Sequence, residues 1–324
     1  MTQTILITGG LGFIGSNLVR RILQESDDHI IVFDRVSYAG RIENLPTGTE
    51  ATKRVQFIRG DVTQKNHIAS IVRQCQAVIH LAAHTNAAIS FSQPEEFFTT
   101  NTIGTLNVLE AIAESDVQRA IIASSSEVYG NSVVGIPMDE MHPCNPVSPY
   151  AVSKLAADRL AYSYHAIKNL PITILRPFNT YGQYQHTEKM IPRFITQILT
   201  GNKITLYNGG YQERDWISVN DHTSAIIATL YAPLEKVRGE IFNIGTGYAT
   251  TIRVIALAIL HCLGKDELWI QETVSDKPET RANIGISKKA KDVIKWEART
   301  SLEDGIKSTV QWYQEHEEWW RTLG

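Results

Sequence analysis

The stretch TILITGGLGFIGSNLVRRIL, residues 4–23, constrains the fold more than any other part of the chain. An apolar β-branched run passes through three spaced glycines into an amphipathic helical pattern. Gly9, Gly12 and Gly15 lack the Cβ that would block a tight turn, keep backbone N–H groups away from a ligand, or hold the helix off the strand. The next apolar run, HIIVFD, closes on Asp34, at the roughly 20-residue offset expected of an acid that accepts from ribose hydroxyls. Strand, glycine turn, helix and acid together predict a dinucleotide site with the pyrophosphate at the helix N-terminus. A carboxylate at Asp34 repels a 2′-phosphate, which favours NAD over NADP. Arg35 beside it could serve a phosphate only by turning inward.

Further apolar runs follow at the spacing of a strand–helix alternation: RVQFIRGDV, AVIHLAA, RAIIASSS and ITILRPF. Each is apolar on both sides, as strands covered on both faces must be. Helical stretches lie between them, including 95–114 and Pro149–Lys168. The alternation predicts an α/β fold, a doubly wound parallel sheet with right-handed crossovers. After Phe178 the rhythm breaks at NTYGQYQHTEKM, which is polar and rich in turn residues. The expected division is a nucleotide-binding domain over residues 1–178 plus about 216–245, and a smaller mixed α/β substrate-binding lobe over 179–215 and 246–324. Residues 241–245, IFNIG, return to the main sheet in this reading. From Ser301 onward, Ile306, Val310, Tyr313 and Trp320 recur near helical spacing and predict an amphipathic helix packed on the lobes.

Composition narrows the function classes. A net charge of −3, without a basic run, gives no footprint for nucleic acid or an anionic membrane. The N-terminus enters a strand almost at once, so no signal peptide is expected, and no apolar run is long enough to span a bilayer. The 3 cysteines, Cys75, Cys144 and Cys262, have no paired spacing and fit a reducing compartment, so a cytoplasmic protein is expected. The 10 histidines form no ligand cluster, and no metal is expected.

In NPVSPYAVSKLAADRLAYSY, Tyr150 and Lys154 stand four residues apart and project from one helix face. Ser148 suits the cap and Pro149 the first helical position. A phenol is too weak an acid to serve as a base at neutral pH, but a nearby ammonium favours its phenolate. Tyr150 could then accept the proton of a sugar hydroxyl while NAD takes up the hydrogen from the same carbon. Upstream, ASSSEVYGNS places an acid, Glu127, where an apolar strand ends.

The motifs TGGLGFIG, HLAA, TNTIGTLNVLEA, SSSEVYG, SPYAVSK and RPFNTYG occur in one order along nearly the whole chain. Together they resemble the extended short-chain dehydrogenase/reductase family of nucleotide-sugar epimerases and dehydratases, whose main lobe is a Rossmann-type sheet. The resemblance implies that Phe13 and Ile14 share the cofactor turn. It puts Asp61 and Val62 beside the adenine and Leu81, Ala82 and Ala83 along the cofactor groove, with Asn101 and Ser124 next to the cofactor. It places Ser126 and Asn179 at the sugar nucleotide, and Arg214 and Arg281 on its diphosphate. It also implies a homodimer formed through the helices 95–114 and Pro149–Lys168, which carry Phe97, Phe98 and Leu160.

Within that family the sequence looks most like the sugar-nucleotide 4,6-dehydratases, the dTDP-glucose enzymes among them, with DRVSYAGRIENL and TEKMIP adding to the likeness. The resemblance implies oxidation of a nucleotide-diphosphate sugar at carbon 4, with catalytic Ser125, Glu127, Tyr150 and Lys154. Glu127 would remove the acidified proton on carbon 5 and so expel the carbon 6 hydroxyl as water. One departure stands out: the dTDP-glucose enzymes typically read Thr-Asp-Glu where this chain reads Ser125, Ser126, Glu127. Ser126 cannot donate a proton as an aspartic acid does, and Glu127 would then serve as base and acid in turn. UDP-glucuronate decarboxylation and 4-epimerisation are the alternatives within the family. A non-catalytic NAD-binding scaffold is the alternative from another class.

Overall fold

A computed structural model describes residues 2–132, 136–274 and 282–323. Thirteen strands are described. The first six are β1 (Thr4–Thr8), β2 (His29–Asp34), β3 (Val55–Arg59), β4 (Ala77–His80), β5 (Arg119–Ala123) and β6 (Ile172–Pro177). They are followed by β7 (Asn179–Tyr181), β8 (Ile204–Tyr207), β9 (Glu213–Ser218) and β10 (Ile241–Ile244). The last three are β11 (Ala249–Thr251), β12 (Ile270–Thr273) and β13 (Ala282–Asn283). Seven of them form one parallel sheet in the order β10-β6-β5-β4-β1-β2-β3. The predicted return of IFNIG to this sheet is observed as β10, paired with β6.

Alternation along each strand explains why both faces are covered. Ile5, Ile7, Ile30 and Val32 point into one core, while Leu6, Ile31 and Phe33 point into another on the opposite face. Since β1 pairs with β2 on one side and β4 on the other, chain order reverses at β1. A crevice opens there beyond the carboxyl ends of the strands.

The predicted helix Pro149–Lys168 forms with those bounds: Ser148 Oγ accepts from the Ala151 N–H at 3.1 Å, and Asn169 ends it in the left-handed region at φ 56°. The stretch expected as one helix over 95–114 is helical from Pro94 to Ala113, with a π-helical segment Phe98–Ile103 between Pro94–Phe97 and Gly104–Ala113. Such a widened turn rotates the residues after it relative to those before.

The smaller lobe has its own core, built on Phe194, Ile195, Ile255, Ile259 and Tyr313. There β9 pairs antiparallel with β11 and parallel with β7 and β13, while β8 and β12 make a separate parallel pair. The predicted C-terminal helix runs Leu302–Glu315, and Trp320 follows on a short helix, Glu317–Arg321. This end reaches back across the molecule. Trp319 Nε1 donates to Asn44 Oδ1 at 2.8 Å, Asn44 Nδ2 donates to the Leu11 carbonyl at 2.8 Å, and Arg41 donates to Thr322 Oγ1. Residues 288–296 fall in the part of the sequence expected in the smaller lobe, yet Ala290, Ile294 and Trp296 pack into the core of the seven-stranded sheet. Among the described residues no helix is long and apolar enough to cross a membrane.

Candidate active site

A cavity of about 460 Å³ opens at the crevice beyond β1 and runs under the smaller lobe. Its floor is the glycine turn. Gly9 has φ 71°, and a Cβ there would lie 2.7 Å from the Ala82 backbone nitrogen, on the opposite wall. A Cβ at Gly15 would lie 2.4 Å from the Gly9 carbonyl oxygen. The helix Phe13–Glu25 starts directly from this turn, with its first N–H groups facing the cradle.

Asp34 ends β2 at the rim of the cradle. Its two carboxylate oxygens accept from the Leu11 N–H at 3.1 Å and the Val36 N–H at 2.9 Å. Burial raises the carboxyl above its usual range, and these two N–H groups oppose the rise. Val36 sits at φ 62°, a strained conformation for a β-branched residue, and the bond to Asp34 helps hold it there. Arg35 is not turned towards a 2′-phosphate position. Its Nη2 contacts His84 Nε2 at 2.8 Å and its Nη1 lies 3.6 Å from Asp61 Oδ2. A glycine turn packed backbone against backbone at the start of a helix, beside a carboxylate already fixed by backbone, fits an adenine dinucleotide without a 2′-phosphate.

The catalytic candidates converge on the middle of the same cavity. β5 is followed directly by Ser124, Ser125 and Ser126. Ser125 Oγ accepts from the Glu127 N–H at 3.1 Å and so caps the tight turn Ser126–Tyr129. Glu127 faces the cavity. Burial pushes its carboxyl up, and the positive charge of Arg214 acts in the opposite direction. From the facing helix come Tyr150 and Lys154. Lys154 is buried and its Nζ donates to the Ala123 carbonyl at 2.5 Å. Burial brings its ammonium down to about 8, and Asp158 one turn later resists the fall.

The balance at Tyr150 differs from the sequence expectation of a phenol drawn down by its lysine. Burial pushes Tyr150 up to about 12; a hydrogen bond with Ser125 favours the phenolate, and the negative charge of Glu127 opposes it. Lys154 spends its short contact on a backbone carbonyl, so desolvation of the phenol wins.

Of the residues singled out in the sequence, Gly9, Gly12–Gly15, Asp34, Asp61, Val62, Leu81–Ala83, Ser124–Glu127, Tyr150, Lys154 and Asn179 line this cavity. Asn101 is not among the lining residues. Its side chain accepts from the His84 N–H at 2.8 Å and donates to the His84 carbonyl at 3.0 Å and to Ser153 Oγ at 2.9 Å. Asn101 is a brace between the cleft wall and the Tyr150 helix. Arg214 is also outside the lining; it lies on β9 between Thr250 and Asn283, with its charge felt at Glu127. Arg281 lies outside the described residues.

Sequence reasoning missed the strap that bridges the cleft. Tyr38 Oη and Asn86 Nδ2 each donate to Glu188, both at 2.9 Å, and Lys189 Nζ donates to the Thr85 carbonyl at 3.0 Å. The acid–base pair in TEKMIP was the one visible signal, because its partners lie more than a hundred positions away in the chain. Trp216 and His222 complete the wall under the smaller lobe. The indole nitrogen of Trp216 and Oε1 of Gln185, both buried, have no hydrogen-bond partner, which leaves this end of the cavity open to a polar ligand.

A doubly wound sheet with this glycine turn and a Tyr–Lys pair on the facing helix defines an extended short-chain dehydrogenase/reductase. Residues 6–309 match the family model described as GDP-mannose 4,6 dehydratase, and the chain belongs to that family. It is 35 % identical to a dTDP-glucose 4,6-dehydratase of Mycolicibacterium smegmatis, over 98 % of this chain and 96 % of that protein. Among solved structures it is similar to a dTDP-glucose 4,6-dehydratase of Streptomyces venezuelae with NAD bound. There the TM-score is 0.93 at 34 % identity, covering 99 % of this chain and 100 % of the other. A UDP-glucose 4-epimerase of Thermotoga maritima with UDP-glucose gives 0.89 at 29 % identity, over 96 % and 99 %.

Proposed function

We propose that the chain is an NAD-dependent nucleotide-sugar 4,6-dehydratase, converting an NDP-hexose to its 4-keto-6-deoxy sugar. The observation that carries this reading is Glu127: a carboxyl in the same cavity as Tyr150 and Ser125, close enough for its charge to act on the phenol. An enzyme that only oxidised and re-reduced carbon 4 has no use for it.

NAD would lie over the glycine turn, its ribose on Asp34, and when bound it supplies reversible removal of hydrogen from carbon 4 and its return at carbon 6. Tyr150 takes the proton of the carbon 4 hydroxyl, and Ser125 holds the oxygen left behind. Lys154 stabilises the negative charge that this transfer requires. The ketone acidifies the carbon 5 proton, and Glu127, which burial has made more basic than an exposed carboxylate, removes it. As the carbon 5–carbon 6 double bond forms, the carbon 6–oxygen bond breaks. With Ser126 beside it in place of an acid, Glu127 gives the same proton to the departing hydroxyl, which leaves as water. The proton held on Tyr150 balances the one delivered to carbon 5 when the double bond is reduced.

The remaining site assignments follow from the resemblance and are proposed as binding roles: Asp61 and Val62 at the adenine, Leu81–Ala83 and Ser124 along the groove, Ser126 and Asn179 at the sugar, Arg214 and Arg281 at the diphosphate. We keep the division into a cofactor lobe and a sugar-nucleotide lobe, with 288–296 joined to the former. A homodimer is supported by Phe98, Ile103, Val152 and Tyr162, all more than a third exposed on the helices expected to pair. A cytoplasmic setting is supported by three unpaired cysteines.

The test is to incubate the NAD-loaded protein with dTDP-, UDP- and GDP-hexoses and with UDP-glucuronate, and to follow product mass. Loss of water supports the proposal. Loss of carbon dioxide from a uronic acid, unchanged mass with a new NMR coupling pattern, or no turnover would each replace it.

A further inference from the structure

The side chain of Arg176, on β6, is 2 % exposed, and its guanidinium is spent entirely inside the protein. Nε donates to Asp158 Oδ2 at 2.9 Å and Nη2 to Asp158 Oδ1 at 3.1 Å, a two-pronged grip. Nη1 donates to Tyr129 Oη at 2.9 Å. Tyr129 Oη in turn donates to Asn243 Oδ1 at 2.7 Å, and the Asn243 N–H donates to Glu140. The guanidinium also sits 4.9 Å from the centre of the Tyr129 ring.

The positions of the two partners matter more than the number of bonds. Asp158 is four residues after Lys154 on the Tyr150 helix, hence on the same face one turn on. Tyr129 is two residues after Glu127, in the tight turn that presents that carboxyl. Arg176 touches neither reacting group, but it joins the element carrying one to the element carrying the other. A buried ion pair is a poor source of stability, because desolvation offsets most of its attraction, and apolar side chains would fill the same space at no loss. What such a pair supplies is a fixed geometry. The proposed reaction needs that geometry: carbons 4 and 5 of one sugar must meet Tyr150 and Glu127 in succession, and displacement of about an ångström can cost a hundredfold.

We infer that Arg176 is a positioning residue that sets the register between the Tyr150–Lys154 helix and the Glu127 turn, through Asp158 on one arm and Tyr129 on the other. The inference rests on the dehydratase reading and extends it: oxidation at carbon 4 and water loss from carbons 5 and 6 are coupled through one buried guanidinium. Cutting the Tyr129 arm alone should then separate the two halves of the reaction.

Tyr129→Phe makes that cut while keeping the ring, and removes the Tyr129–Asn243 bond as well, which Arg176→Lys leaves in place. With NAD-loaded, full-length protein and dTDP-glucose, rapid mixing should show reduced cofactor forming within about twofold of the wild-type rate. Water loss, followed by mass, should fall about tenfold or more, and reduced cofactor should accumulate. A crystal structure of the variant without sugar should show the Ser126–Tyr129 turn shifted against the Tyr150 helix. Arg176→Lys, which keeps the charge for Asp158 but lacks the second prong for Tyr129, should give the same split and stands in if Tyr129→Phe does not fold. A parallel fall in both half-reactions, no change in either, or slower water loss with the turn unmoved overturns the inference while the dehydratase reading stands. A wild-type protein that releases no water from any of the sugar nucleotides overturns both.

Discussion

The two ends of the cavity are made of different material. At the cofactor end the ligand faces backbone: missing Cβ atoms at Gly9 and Gly15, a helix N-terminus, and a carboxylate held by two N–H groups. At the other end the cavity is lined by side chains delivered by separate elements, with Glu127 from the turn after β5, Asn179 from β7, and Glu188 and Lys189 from the strap. A surface made of backbone tolerates almost no addition and serves one ligand shape. A surface made of side chains can be re-cut position by position while the fold stays put, which is how one scaffold comes to serve several sugar nucleotides.

Four measurements would break or sharpen that contrast. Tyr150→Phe removes one oxygen at the boundary between the two ends. It should slow oxidation, and with it every product, by about 10²–10⁴-fold, while NAD binding measured by calorimetry stays unchanged. Glu127→Gln acts on the sugar end alone. Reduced cofactor should still appear on adding substrate while water loss falls by about 10²-fold or more, and normal turnover would remove Glu127 from the mechanism. Gly15→Ala is the complementary change at the backbone end. Its Cβ has 2.4 Å to the Gly9 carbonyl, so the turn must open, and NAD affinity should drop about tenfold or more with the sheet intact by circular dichroism.

The smallest effect is graded with pH. His80, bonded to Thr8 and Thr105 behind the glycine turn, is brought down to about 3 by burial and then by the charge of Lys154. His222, beneath the sugar end, is brought down to about 4 by burial. Both are neutral when folded, whereas the unfolded chain takes up their protons once pH drops below the ordinary histidine value. Stability is therefore complete above about pH 6.5 and is lost as pH falls, by up to about 1.4 kcal/mol per pH unit for each imidazole. Urea unfolding between pH 7 and 5 should show this slope, and His222→Gln should remove one proton's worth of it. An unchanged slope would mean that His222 is solvated.

How much of this was legible in the sequence follows the same division. Backbone-made features are local: a glycine turn, the acid that closes the following strand, and a cap before Tyr150 all sit within a few dozen residues, and periodicity alone placed β1–β6 and β10. Features made by side chains pairing at long range were opaque. Asn101 stands in a recognisable motif, but whether it meets a cofactor or braces His84 and Ser153 depends on the π-helical turn at Phe98–Ile103, and no spacing rule predicts that turn. The lysine beside Tyr150 was visible as a pair four residues apart. Its preference for the Ala123 carbonyl was not, because that acceptor arrives from β5. The Arg176 bridge is the extreme case: an arginine in an apolar run reads as the end of a strand until both partners, 18 and 47 residues earlier in the chain, are known.

The contact of Trp319 and Thr322 with Asn44 and Arg41 ties together two parts of the chain that lie far apart in sequence. Asn44 holds the Leu11 carbonyl, inside the glycine turn, so the nucleotide cradle is braced by a residue 275 positions from Asn44 along the chain. A chain cut short before Trp319 would keep its strands and lose its hold.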